Sequence, residues 1–297
     1  MIKETISFLQ WQETKFKSLR SSLQLWLMGK LNKDIYLLGT GIKGFSHITL
    51  ETNYILKNCN EVYYVNPVHS LEAYLKKINP KSFNLIGLYK DFRSATDVYE
   101  EIAQIIIKRA KEISKISFLS HGNPIIFSTP SQIIIKKAKE ENLTVDVLPA
   151  ISAIDSILTE LKIDICDFGL QIFDANKLVL YEQSINIFIL CVIFQIGIFG
   201  SKFITRSLRN KPHRFKLFKQ YLLKFYPEEH IVYLIESAVD YTLNSQKIKF
   251  PISDIEKKAS FINTNSSLYI PAVKGMYSHN KKFYSLINNP NNINELV

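Results

Sequence analysis

The sequence predicts a two-domain α/β protein: a parallel-sheet domain first, a smaller α+β domain after it, and a working site in the cleft between them. Three observations predict this. From Lys33 to about Ile165, short β-branched runs alternate with helical runs, and strands joined by helices of that length build a parallel sheet covered on both faces. After about Asp174 the alternation weakens and strand-like runs dominate. Glycine-containing turns close two of the predicted strands, at the carboxyl ends where open α/β sheets bind their ligands. The bulk composition agrees. A chain of 297 residues, 46% hydrophobic and 22% charged, can bury two cores and is unlike a disordered chain. Ten Gly and ten Pro exclude collagen-like and low-complexity classes.

Taken in order, residues 1–33 form an extension. Phe16, Leu19, Leu23, Trp26 and Leu27 fall at helical spacing with Lys and Arg between them, which describes an amphipathic helix docked on its own domain or a partner subunit, with a membrane surface the lesser reading. Lys15, Lys17 and Arg20 interrupt any secretory apolar core. The first domain, 34–165, reads as strand Ile35–Gly41, helix Ile48–Cys59, strand Glu61–Asn66, strand Ser82–Tyr89, helix Ala95–Ser114, strand Ile116–Ser120, helix Thr129–Asn142, strand Leu143–Pro149 and helix Ser152–Ile163. The second, 166–275, reads as strands Leu178–Tyr181, Ile187–Phe194, Ile231–Glu236 and Ser267–Pro271, with a basic helix between Lys202 and Phe225. Residues 276–297 read as a flexible tail. The apolar run Ile185–Gly200 is shorter than the ~20 residues a bilayer needs and contains Asn186 and Gln195, so it reads as a buried strand with a turn.

Cys59, Cys166 and Cys191 are too scattered for a disulfide framework or a metal site, so the expectation is a reducing cytoplasmic setting and no metal. Gly39-Thr-Gly41-Ile-Lys-Gly44 is a G-x-G-x-x-G directly after a strand. A nicotinamide enzyme would place a carboxylate at the end of the next strand for the ribose hydroxyls, and that strand ends Val65-Asn66-Pro67. The second turn, Ser120-His121-Gly122-Asn123-Pro124, closes the fourth strand and is followed by Ile125-Ile126-Phe127. Two backbone-exposing turns and an apolar wall suit S-adenosylmethionine, an adenine with a sulfonium and a small zwitterion, better than a pyrophosphate.

The succession LLGTG (through Gly41), HGNPIIF (121–127), LPAISAIDSIL (148–158), GLQIFDA (169–175) and SSLYIPA (266–272) resembles the tetrapyrrole methylase family of S-adenosylmethionine-dependent methyltransferases. Within it, KIDICDFGLQIFDA (162–175), FQIGIFG (194–200), the FYPEEH run (225–230) and the Tyr99 region are most similar to borosin-type peptide backbone N-methyltransferases. The resemblance implies a homodimer and a donor folded in the cleft against Gly39, Gly41, Gly122, Asn123, Pro124, Phe127, Ser152, Ala153, Gln171 and Ser267. Plain structural readings stand beside it: Gly41 turns the chain, Phe127 fills core, and Ser152 caps the following helix. It also implies an active site containing Tyr89, Arg93 and Tyr99, with a tyrosine made more acidic by a nearby cation. That tyrosine would handle the proton and carbonyl charge of a poor amide nucleophile. His121 stands where borosins place a tyrosine, and reads either as an active-site base or donor or as a structural loop residue. Asn123 replaces the acid or histidine common at that turn.

The net charge of +10 includes eight Lys and Arg between Lys202 and Lys224. This run reads as a solvated face, a dock for an acidic peptide, or a contact for RNA phosphates. Phe215, Phe218, Tyr221 and Phe225 recur as a core-facing stripe rather than a base-stacking platform, which leans against RNA. The expected function is S-adenosylmethionine-dependent N-methylation of backbone amides in a ribosomally made peptide, supplied as a separate chain because the last residues lack an apolar run. RNA or small-molecule methylation, or a donor-binding module without turnover, are the alternatives.

Overall fold

The computed structural model describes residues 31–66, 69–205, 209–240, 242–275 and 280–292. The stripe from Phe16 to Leu27 lies outside the described residues. The first sheet contains β1 (Ile35–Gly39), β2 (Glu61–Tyr64), β3 (Ser82–Asn84), β4 (Ile116–Ser120) and β5 (Val145–Val147), in the order β3-β2-β4-β1-β5. All its pairings are parallel. β1, β2 and β4 are buried along their whole length, as central strands covered on both faces must be.

The covering helices are α1 (Leu50–Asn58), α2 (His69–Ile78), α3 (Ala95–Ile113) and α4 (Thr129–Glu140). Ile35, Leu37 and Phe118 pack with Val98, Ile102 and Ile106 of α3 and Ile134 of α4 on one face. Tyr36, Leu38 and Leu119 pack with Ile55, Leu56, Leu71 and Leu75 of α1 and α2 on the other. Side chains alternate across a strand, so adjacent residues of β1 feed two different cores. Glu61 is fixed at the start of β2 by a two-pronged bond from Arg109, at 3.0 and 2.6 Å, and accepts the Tyr63 hydroxyl at 2.6 Å. The Arg109 hydrogen bonds hold the Glu61 carboxyl below the ordinary carboxylate range.

The second sheet contains β6 (Leu170–Asp174), β7 (Leu190–Phe194), β8 (Ile231–Glu236), β9 (Gln246–Pro251) and β10 (Ser267–Ile270), in the order β6-β7-β10-β8-β9. β6 runs parallel to β7 and the other pairings are antiparallel. One face packs on α6 (Ala175–Leu180) and α7 (Lys216–Leu222). The other takes Ile157 of α5 (Ala153–Leu161), which packs with Leu190, Val192, Phe194, Ile235 and Tyr269. α5 therefore follows the first sheet in sequence but belongs to the core of the second.

The structure corrects several expected elements. Leu178–Tyr181 is the end of helix α6, not a strand, because Asp174 caps it by accepting the Lys177 N–H. The strand expected over Ser82–Tyr89 stops at Asn84, whose side chain accepts from Ile86 N–H and starts a 3-10 turn. Between Lys202 and Phe225 only Pro212–Phe215 and α7 are helical, and Arg206 lies outside the described residues. In the tail, Lys281–Ile287 forms a helix, α8. The apolar run at 185–200 is the buried β7 followed by a 3-10 turn, as expected. Among the described residues no helix is long and apolar enough to cross a membrane.

The Glu61 cluster yields a stability prediction. Glu61→Gln lowers stability at neutral pH by about 1–3 kcal/mol, the range for hydrogen bonds to a charged group. A carboxylate with a depressed pKa stabilises the fold above its unfolded value, and that contribution is lost as pH falls through the folded value. Denaturant midpoints of wild type and variant should therefore differ at pH 7 and converge in acid.

Candidate functional site

Two turns beyond the carboxyl ends of β1 and β4 meet in the cleft. Gly41 N–H donates to Gly122 O at 3.2 Å, and Gly122 N–H to Gly41 O at 3.0 Å. Both glycines have positive φ, +65° and +74°, a region that favours glycine. At Gly39 the constraint is space. A Cβ there would lie 2.1 Å from Gly122 O and 2.6 Å from the Ala150 Cβ. Asn123 joins the second turn to the next loop: its Nδ2 donates to Ala150 O at 2.8 Å and its Oδ1 accepts from Ile125 N–H. Pro124 is buried against the same Gly39 position.

These turns wall one side of a cavity of about 180 Å³, bounded by Gly122, Asn123, Phe127, Ser152, Ala153 and Ser267 of the expected set, together with Ile126, Phe194 and Ser237. Phe127 stands over Phe194 with ring centres 4.9 Å apart. Ser152 does cap α5: its Oγ accepts from Ile154 and Asp155 N–H and donates to Asp155, which also takes the Ser152 N–H. The buried Ser237 hydroxyl has no hydrogen-bond partner among the described residues. An apolar ring surface, exposed main chain and a spare buried hydroxyl fit an adenosyl amino acid.

A second cavity, about 280 Å³, adjoins the first and is bounded by Tyr89 and Tyr99, apolar Ile86, Ile198, Phe203 and Ile204, and Lys202. The two tyrosine rings lie 6.2 Å apart, centre to centre. One wall is a strap from the second domain, held by backbone bonds from Phe92 N–H to Ile204 O, Ile204 N–H to Arg93 O and Ala95 N–H to Lys202 O, each 2.9–3.0 Å. His121, Gln195, Val239, Thr264 and Asn265 border both cavities. The His121 ring has no hydrogen-bond partner among the described residues, and desolvation in the cleft holds its pKa below the ordinary imidazole range, so the neutral ring prevails.

Three expectations need correction. Gln171 does not reach the cavities: its amide donates to Asn186 O and Ile189 O and accepts from Asn186 N–H, which consumes it at the edge of the second sheet. Arg93 is tied to Glu101 at 2.7 Å and to Leu88 O and lines neither cavity. No cation acidifies Tyr99; burial and the nearby Asp174 push its phenol up instead, so it stays protonated. Sequence reasoning gave no role to Gln195, Ser237, Thr264 or Asn265. Gln195 stands inside the quoted FQIGIFG run, where a polar side chain at a strand end was the available signal.

The basic segment is partly occupied. Lys219 pairs with Glu256 and Lys224 with Glu182, Arg214 bonds Phe199 O and the Asn210 side chain, and Phe215, Phe218 and Tyr221 are buried, whereas Arg209, Lys211 and Lys216 are exposed.

Known proteins give this geometry a context. The sequence pattern of the tetrapyrrole (corrin/porphyrin) methylases matches residues 34–238. The chain is 26% identical over 263 residues to a methyltransferase/ribosomally synthesized type I borosin cyclic peptide precursor of Coprinopsis marcescibilis, covering 86% of this chain and 66% of that protein. It is 28% identical over 254 residues to a type II borosin counterpart of Phlebiopsis gigantea, covering 84% of this chain and 44% of that protein. The chain thus spans from under half to about two thirds of these relatives. Uroporphyrin-III-C-methyltransferase from Thermus thermophilus shares the fold, with a TM-score of 0.59 at 15% identity over 81% of this chain and 92% of that one. A structure of that enzyme with S-adenosyl homocysteine aligns with a TM-score of 0.55 at 13% identity, over 80% of this chain and 96% of that one. The glycine turns at the strand ends, the two-sheet architecture and the match over 34–238 agree, and the chain belongs to the tetrapyrrole methylase family.

Proposed function

We propose that the protein is an S-adenosylmethionine-dependent methyltransferase acting on backbone amide nitrogens of a ribosomally made peptide. The observation that carries this reading is the pair of adjoining cavities with His121 on their common border. The cavity at the glycine turns would hold the donor through Gly122, Asn123, Phe127, Ala153, Ser237 and Ser267. When bound, S-adenosylmethionine supplies an electrophilic methyl group at its sulfonium. The apolar cavity would hold the acceptor segment, and the sequence similarity to relatives named as methyltransferase/borosin cyclic peptide precursors supports a peptide.

An amide nitrogen is a weak nucleophile, so proton removal and stabilisation of its carbonyl oxygen are the work left to the protein. Neutral, unpartnered His121 takes the role of proton acceptor, and the protonated Tyr99 phenol that of a donor to the carbonyl. Tyr89 positions the Tyr99 ring. Arg93 acts at a distance, as the anchor of the 86–95 loop through Leu88 and Glu101. An RNA acceptor is disfavoured by the burial of Phe215, Phe218 and Tyr221, which leaves these rings unavailable for stacking on bases. The three cysteines are free thiols, which supports the cytoplasmic setting. The homodimer implied by the borosin resemblance completes the reading.

Donor binding is tested by calorimetry. S-adenosylmethionine should bind wild type, Gly122→Trp should abolish binding by filling the cavity, and Gly39→Ala should weaken it by at least about tenfold because the two turns must separate. Preferential binding of NAD would contradict the reading. The pH profile tests His121. Because burial lowers its pKa, the active neutral form is lost only as pH falls through a value below the ordinary imidazole figure of about 6.5. Peptide methylation followed by mass spectrometry should show an acidic limb there, and His121→Gln should flatten it with a rate loss of about 10²-fold or more.

A further inference from the structure

Ile42, the residue after the first glycine turn, walls the donor cavity and is 4% exposed, with its Cδ1 3.6 Å from where a Gly122 Cβ would stand. A wall residue must be held in place, and backbone N–H groups shielded from water need partners. Neither Ile42 N–H nor Lys43 N–H reaches a backbone carbonyl among the described residues. Both donate instead to one atom, His47 Nδ1, each at 3.3 Å. A single side chain thus closes the loop that joins the first glycine turn to the 3-10 turn Gly44–His47.

The ring reaches that position because Gly41 has no side chain. A Cβ at Gly41 would lie 2.3 Å from the His47 Cβ and 3.1 Å from its Cγ and Nδ1. The imidazole therefore backs the turn that bonds Gly122, and it lines neither cavity. An Nδ1 that accepts two N–H groups carries no proton, which assigns the neutral ring with its proton on Nε2. Burial, and then the Lys43 charge, hold its pKa below the ordinary imidazole range, in keeping with that assignment. The same loop also meets the second domain, where a Cβ at Gly44 would touch Val239 O at 3.8 Å.

We propose that His47 is a positioning residue for the methyl donor: by accepting the Ile42 and Lys43 N–H groups at Nδ1, it holds the first glycine turn against the second and keeps Ile42 at the cavity wall. This rests on the donor-binding reading above, and His47 acts without touching the ligand. Without the acceptor, the two N–H groups turn to water and the loop takes up other arrangements. The donor must then select the closed one, so its apparent affinity falls by the fraction of molecules that remain closed.

Three variants of the full chain test it, with S-adenosylhomocysteine affinity read by calorimetry. His47→Asn places its Oδ1 as far along the side chain as Nδ1 and keeps the acceptor; His47→Ala removes it. His47→Gln carries its amide one bond farther out, at the level of Nε2, and fills the space without serving the two N–H groups. Affinity should fall about tenfold or more in His47→Ala and His47→Gln, and stay within about threefold of wild type in His47→Asn. Should His47→Ala fail to fold, the contrast between the Asn and Gln variants decides. Wild-type affinity in His47→Gln overturns the assignment, as does a loss in His47→Asn equal to that in His47→Gln, which would mean that the ring itself rather than its Nδ1 acceptor matters. A wild type that binds no S-adenosylhomocysteine overturns the donor-binding reading first, and this assignment with it.

Discussion

The reciprocal hydrogen bonds between Gly41 and Gly122 are the contact on which the rest of the cleft depends. They form an isolated antiparallel bridge beyond the parallel β1–β4 pairing, at a place where both residues have left extended geometry, and they close only because Gly39 has no side chain to separate the turns. Once closed, they fix Asn123 against Ala150 and bring His121 to the border of both cavities. A side chain at any of three glycine positions would act on all of these at once.

The second domain closes the cleft by two different means. α5, which follows β5 of the first sheet, packs into the second core through Ile157. The strap at 202–204 is bonded to residues 92–95 by main-chain groups alone, which fixes position without regard to side-chain identity. Side chains of the strap are therefore free to shape the cavity they border.

Much of the fold was legible because periodicity reports burial. β1, β2, β4 and β7 are buried throughout; β1 and β7 read as continuous apolar runs and β2 and β4 as mainly apolar ones broken by Glu61, Ser117 and Ser120, and α3 shows its core stripe from Val98 to Ala110. Leu178-Val179-Leu180-Tyr181 misled for the same reason: a short apolar run looks alike in a strand and a helix, and the deciding Asp174 cap is a single residue. β9, a Lys-rich edge strand, carried little apolar signal. In the site, glycine turns were readable because they have local causes, whereas the fate of Gln171 depended on the carbonyls of Asn186 and Ile189, and the place of Gln195 on the border of both cavities on the turn that follows β7. A tyrosine made acidic by a nearby cation was expected at this site, yet the Tyr99 phenol is pushed up by burial and Asp174, which sequence spacing does not reveal.

The central claim is that one cleft holds donor and acceptor in adjoining cavities, joined at His121 and Gln195. A crystal structure with S-adenosylhomocysteine bound tests it most directly. The expected result is the adenosyl group against Phe127 and the Gly122 turn, with the thioether sulfur directed past His121 toward the Tyr89–Tyr99 cavity. A ligand whose sulfur faces away from that cavity, or which settles outside the cleft, would contradict it.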